Sequence, residues 1–415
     1  MRWRWLRTDG KRRLSVSPYR VLISIGEEWI QVLLVELEPH SAVIVGAARE
    51  NRGGYRTADA IESVSDQCER AVSEAERSTE SALGYRVVAD YGLVAVPDSW
   101  SVMAGGTITH RRREPERRVD AQELRGALDR AVAFVLSQQE GDVSASEVEV
   151  IYSCVTEARM DGQRVRHPLG FRGQELSLGI FLSLVHRERA RYLRGIASDL
   201  DLDPVRLVPL LQAMAVCLPA PEAIGILLDD KHTDVFRVMD GRVAASQRVP
   251  GGVQDMLIKV MDALSMPAAD ARRLQREHRR GLLDPELAER VEQELLEQMW
   301  SWAVSLRSAV KGVGQDTVPW RVYLCGAEEG MSTLQQVLDC PEWRQGLRFA
   351  RHPQITCFGP KDVVPLLDRV GDSRRANDLG VRCLAIFAHS ERARPSRVDA
   401  LLKDALRARG YLRST

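Results

Sequence analysis

Two well-separated stretches of this chain open in the same way. Residues 21–50 hold the apolar runs VLISI, IQVLLVEL and SAVIVGAA, parted by the turn segments GEEW and EPH. Residues 223–250 read AIGILLDDKHTDVFRVMDGRVAASQRVP, two apolar runs around DDKHTD and a third beyond Asp240-Gly241. Short apolar runs bounded by turn residues read as strands, and Asp-Gly between two of them is a hairpin signal. Identity between the stretches is slight, so topology repeats rather than sequence. A duplicated three-strand meander constrains the fold strongly, because each copy needs helices to cover its sheet.

Those helices are legible. After the first meander, Ala58, Ile61, Val64, Cys68, Ala71, Val72 and Ala75 recur at steps of three and four, the spacing of an amphipathic helix. YRVVADYGLVAV then reads as a strand pair. Near Pro97 a different unit begins: a polar loop containing RRREPERR, a helix from about Asp120, a strand, a hairpin at Asp161-Gly162, the loop HPLGFRG and a further strand and helix. After Gly251-Gly252 come three helical patterns, then VPWRVYLCGAEEGMSTLQQVLDC, a strand, a glycine turn and a helix.

A length of 415 residues allows two domains or more, and 44% hydrophobic with 28% charged residues is ordinary for a globular chain. Zero formal net charge argues against a nucleic-acid partner. Seven scattered cysteines form no CxxC pair, which suits reduced core thiols in a cytoplasmic protein. No apolar run reaches the roughly 18 residues of a spanning helix. Trp3 and Trp5 among arginines in the basic segment 1–18, and the apolar stripe Val398, Leu401, Leu402, Ala405, Leu406 within 396–415, are candidates for peripheral membrane contact.

The order of these segments resembles the bacterial cell division family FtsA, within the actin/Hsp70/hexokinase superfamily. RVRHPLGFRGQELSLGIFLSLV, DGRVAASQRVPGGVQDMLIKVMDALSMPAADARRLQREH and YLCGAEEGMSTLQQVL carry the resemblance, in sequence order, over about 19–390. It implies an α/β, actin-like two-lobed fold of duplicated ribonuclease-H-like domains with a small inserted α/β subdomain of SHS2 type. Lobe one is expected at 19–95 with 178–222, the insert at 96–177, lobe two at 223–390, and an amphipathic segment at 391–415. The cap of lobe two is expected to be reduced to helices, since Gly281-Leu282-Leu283-Asp284-Pro285 joins two of them directly.

The resemblance also implies ATP with magnesium between the lobes, next to Gly26 and Glu27, Asp229 and Asp230, Gly251 and Gly252, and Gly326 and Ala327. Here the sequence departs from the family. Ser24 stands at the family's first-loop Asp, Glu27 and Glu28 replace small polar residues, and Gln31 replaces Lys. The second loop, LLDDKHTD, has no glycine. Carboxylates around a triphosphate are repulsive, at about 4 kcal/mol per pair at 4 Å for an effective dielectric of 20. A degenerate site without ATP hydrolysis is therefore expected, with His232 as a surface turn residue. No nucleophile–base or metal-ligand signature occurs, so no catalytic residue is assigned.

The expected function is that of a scaffold or adaptor in cell division. It would sit on the inner face of the cell membrane, link an FtsZ-like polymer to it, and self-associate as FtsA does. The alternatives are an adaptor for pilus or secretion assembly similar to PilM, and an ATP-binding FtsA with unusual loops.

Overall fold

The computed structural model describes residues 17–26, 29–51, 59–138, 144–229, 231–279, 281–314, 317–326, 331–371, 378–391 and 396–412. The tail with Trp3 and Trp5 lies outside them.

Strands β1 (Tyr19–Ile25), β2 (Trp29–Leu37) and β3 (Ala42–Asn51) form the first meander. Helix α1 (Asp59–Leu83) crosses to β4 (Gly92–Val96), which runs parallel to β1. Only one strand forms in YRVVADYGLVAV. Val87 and Ala89 are buried between exposed Tyr85 and Val88, but Val87 N–H donates to Thr79 Oγ1 rather than to a neighbouring strand, and residues 85–91 stay irregular.

The chain then leaves the sheet for β5 (Ser101–Arg111), α2 (Ala121–Ser137), β6 (Val148–Met160), β7 (Gln163–Arg164) and β8 (Glu175–His186). These strands make a separate sheet in the order β5-β8-β6-β7. The expected insert boundary at 177 falls inside β8, because the register of β8 against β5 and β6 continues to Val185 and His186. Helix α3 (Arg187–Asp199) returns the chain to β9 (Val205–Pro209), parallel to β4, and α4 (Leu210–Cys217) follows.

The second meander is β10 (Glu222–Leu228), β11 (His232–Met239) and β12 (Arg242–Pro250). Asp240 and Gly241 have φ of 50° and 73°, so the Asp-Gly hairpin forms as its sequence demands. Helices α5 (Val253–Leu264), α6 (Ala268–Arg279) and α7 (Pro285–Gly314) lead to β13 (Arg321–Gly326), α8 (Met331–Asp339), α9 (Pro341–Arg344) and β14 (Gln354–Phe358). The two sheets have the same internal order, β3-β2-β1-β4-β9 and β12-β11-β10-β13-β14.

The C-terminal part does not stay with the second sheet. Strand β15 (Leu366–Asp368) pairs parallel to β3 at the edge of the first. Helix α10 (Leu379–Ser390) lies beside α4 between the sheets, burying Leu379, Val381, Cys383, Leu384 and Phe387. An expected lobe two of 223–390 therefore loses 366–390 to the first sheet and the central layer.

Helix α11 (Arg397–Ala408) is a further correction. Its stripe Val398, Leu401, Leu402 and Leu406 is buried against α2 and β6, in one core with Leu124, Leu128 and Leu182. An apolar stripe covered by protein is not a membrane face.

Candidate functional site

Both meanders turn tightly. Ile25 pairs with Ile30, and Gly26 N–H donates to Trp29 O at 2.9 Å. In the second copy Leu228 pairs with Thr233, and Asp229 N–H donates to His232 O at 3.0 Å. Pairing register therefore equates Gly26 with Asp229, Trp29 with His232 and Gln31 with Asp234. The third strands extend the match: Gln31 faces Arg49, and Asp234 faces Arg248.

Side-chain alternation decides where these residues point. Ile30, Val32 and Leu34 pack toward α1, so Leu33, and with it Gln31 and Trp29, faces the layer between the sheets. Val235 packs toward α7 while Phe236 faces the same central layer, and Asp234 and His232 follow Phe236. The open end of this layer is the cleft.

Its lobe-two wall is held by charge pairs. The buried Asp234 carboxylate accepts from Arg248 Nε at 2.9 Å and Nη2 at 3.3 Å. His232 is not the exposed turn residue expected. Its side chain is 13% exposed, with Nε2 3.1 Å from Asp234 Oδ2 and 3.6 Å from Asp229 Oδ2, the first without hydrogen-bond geometry. In lobe one the equivalent partner of Arg49 is the neutral Gln31, and Arg49 instead lies over the Trp29 ring, 4.0 Å from its centroid. Gln31 Oε1 is buried and accepts no hydrogen bond among the described residues.

Asp378, at the N-terminus of α10, lies within electrostatic reach of Arg49 in lobe one and Asp229 in lobe two. It caps the helix by accepting from Val381 N–H at 2.9 Å. Burial pushes its carboxyl above the ordinary range, and Asp229 adds to that push. The Val381 and Gly380 amides and Arg49 work against it.

Of the glycines expected at the site, Gly251, Gly252 and Gly326 lie around the Leu228–Thr233 pair and Gly26 lies in the lobe-one turn. Gly251 has φ of 100° and its carbonyl accepts from Thr233 Oγ1 at 2.9 Å; Thr233 in turn accepts from Trp302 Nε1 at 3.1 Å. Gly252 N–H donates to Asp255 Oδ2 at 3.1 Å at the start of α5. Gly326 closes β13 against Leu228. Gly26 does not have a positive φ; a Cβ there would lie 3.2 Å from Trp29 O, so it serves close approach within the turn. Glu27, Glu28, Asp230 and Ala327 lie outside the described residues.

Sequence reading missed Trp29, Arg49, Arg248 and Asp378. Register across the repeated meander was the signal for the arginines. An Asp three residues before Val381, ahead of the apolar run LGVRCLAIFA, was the capping signal for Asp378. No group of three or more described His, Cys, Asp or Glu residues is arranged to hold a metal ion. No described helix is long and apolar enough to cross a membrane.

No family model matches the chain, and no curated protein matches it in sequence. Among solved structures it is similar to the PilM-PilN type IV pilus biogenesis complex, at 12% identity and a TM-score of 0.58, over 90% of this chain and 98% of that one. It is also similar to the ethanolamine utilization protein EutJ from Carboxydothermus hydrogenoformans, at 12% identity and a TM-score of 0.47, over 89% and 90%. A ROK hexokinase from Thermus thermophilus aligns at 14% identity and a TM-score of 0.40, over 90% and 100%. The fold is actin-like, two lobes of duplicated α/β plan; likeness at this identity carries the fold and no activity.

Proposed function

We propose that this protein is an actin-fold adaptor without ATPase activity, one that holds protein partners in a membrane-associated assembly of pilus or secretion type. The observation that carries the reading is the chemistry of the cleft. The fold implies ATP with magnesium there, and the residues fit it poorly. Burial already disfavours the Asp378 carboxylate, and the charge of Asp229 adds to that push while Arg49 offsets it. A triphosphate would meet the same penalty. The N–H groups that begin both turns are bonded within those turns. Arg248 is already paired with Asp234, and the family's lysine is Gln31.

An adaptor does not need hydrolysis, and the similarity in fold to a protein solved with a pilus partner supports that class of assembly. Fold analogy alone assigns no function, so the cleft bears the weight. A second reading, an FtsA-like division scaffold linking an FtsZ-type polymer to the inner face of the membrane, is favoured by the ordered loop at His167–Gly173. Peripheral attachment would then fall to the segment with Trp3 and Trp5.

Calorimetry with Mg-ATP is expected to give no micromolar binding and no turnover. Micromolar affinity with turnover would overturn the adaptor reading in favour of an active ATPase. A fluorescent fusion is expected at discrete envelope sites; a midcell ring would replace the pilus-type role with the division role.

A further inference from the structure

One end of the insert carries a charged surface that the cleft does not account for. Two loops meet there, residues 112–119 and 168–173. Val119 N–H donates to Phe171 O and Gly170 N–H to Val119 O, both at 2.9 Å, and Gly173 N–H donates to Pro115 O at 3.1 Å. Arg112 fastens the two. Its fully buried guanidinium donates to Glu123 Oε1 at 2.7 Å and Oε2 at 2.9 Å, and to the carbonyls of Pro115, Gly173 and Arg117 at 3.3, 3.0 and 2.7 Å. All three nitrogens are engaged, so burial of the charge is compensated and the loops are held firmly together.

A firmly held loop pair fixes the side chains that it shows to solvent. Phe171 is 48% exposed. It lines a shallow concavity with Arg118, Leu169 and Arg172. Arg117 is paired with Glu114 and Asp120, whereas neither Arg118 nor Arg172 makes an ion pair among the described residues. The whole chain is neutral, so this local surplus is not overflow from a basic protein. Arginine forks match carboxylates in a bidentate way, and an exposed aromatic ring in the same concavity supplies an apolar contact.

We propose that this end of the insert docks an acidic peptide segment of a partner protein, with carboxylates on Arg118 and Arg172 and an apolar side chain against Phe171. The proposal rests on the adaptor reading in that an adaptor requires such a partner. A concavity with a fixed rim suits a peptide better than a bilayer.

The test uses the full chain, a fluorescein-labelled peptide of Glu and Phe residues, the same peptide with Lys for Glu, and phosphatidylglycerol vesicles. The acidic peptide is expected to bind, more weakly as salt rises. Arg118→Glu with Arg172→Glu should weaken binding at least about tenfold. Phe171→Ala should weaken it severalfold with unchanged salt dependence. All three positions are exposed, and unchanged thermal unfolding would show that the variants fold. No binding, equal binding of both peptides, indifference to the double reversal, or capture by vesicles but not by the acidic peptide would each overturn the proposal. ATP turnover would overturn the adaptor reading and leave a positive peptide result standing. Failure to bind the peptide without turnover would overturn this surface alone.

Discussion

Gly326 ends β13 with φ of 135°, and a Cβ there would come within 2.4 Å of Leu228 O. Both the backbone angle and the contact exclude a side chain, so strand packing accounts for this glycine without a nucleotide. Gly326→Ala is expected to cost about 1–3 kcal/mol, read as a lower denaturant midpoint. Asp378 offers a test by pH. Its folded carboxyl keeps its proton to a higher pH than in the unfolded chain. Stability therefore falls as pH rises from about 4, the ordinary aspartate range, through the raised folded value. Asp378→Asn can still cap Val381 N–H and is expected to remove that part of the fall. Parallel stability–pH curves for the two proteins would refute the assignment.

Helix α11 shows how one element can be read in two ways. Ser396 accepts from Asp399 N–H at 3.1 Å and opens the helix, and the stripe of leucines would suit a lipid surface as well as a protein one. In the fold it covers the insert instead. Tyr411 O accepts from Val150 N–H at 2.9 Å and Asp399 Oδ1 from Val155 N–H at 2.9 Å, so the C-terminal segment occupies the open edge of β6. Leu402, fully buried, should cost about 2–5 kcal/mol when replaced by Ala. Binding to anionic vesicles should be unaffected by that change. Vesicle binding lost without loss of stability would return α11 to the membrane.

At the scale of the molecule, the lobes share one core. Leu22, Leu33 and Ile44 of the first sheet, Leu227, Phe236 and Tyr323 of the second, Phe181 of the insert and the helices α4 and α10 belong to a single buried cluster. Unfolding is accordingly expected as one cooperative calorimetric transition, and two resolved transitions would contradict it. A polar knot adds to the joint. Arg242, at the start of β12, donates to Asp399 Oδ1 at 3.0 Å and Oδ2 at 2.9 Å, and to Val155 O at 2.9 Å, tying lobe two to the insert and α11. Burial tends to raise the Asp399 carboxyl, but Arg242 outweighs it and holds the group below the usual range. That contribution is present above the unfolded value near 4 and is lost as pH falls toward the folded one. Arg242→Ala leaves Asp399 buried without its cation and should cost about 3 kcal/mol. A double change to Arg242→Met with Asp399→Leu should recover part of this in the denaturant midpoint.

The sequence by itself determined the repeated meanders, the Asp-Gly hairpins and the amphipathic helices, because turn chemistry and the periods of two and 3.6 residues are local. It also marked both cleft turns as acidic. Only the tertiary structure decided what lay opposite them. Arg49, Arg248 and Asp378 reach the cleft through strand register and the return of α10, contacts made between residues far apart in the chain. The same holds for β15 and α11. Burial of an apolar stripe is favourable against any apolar surface and carries no address, so only packing could assign α11 to the insert rather than to a membrane.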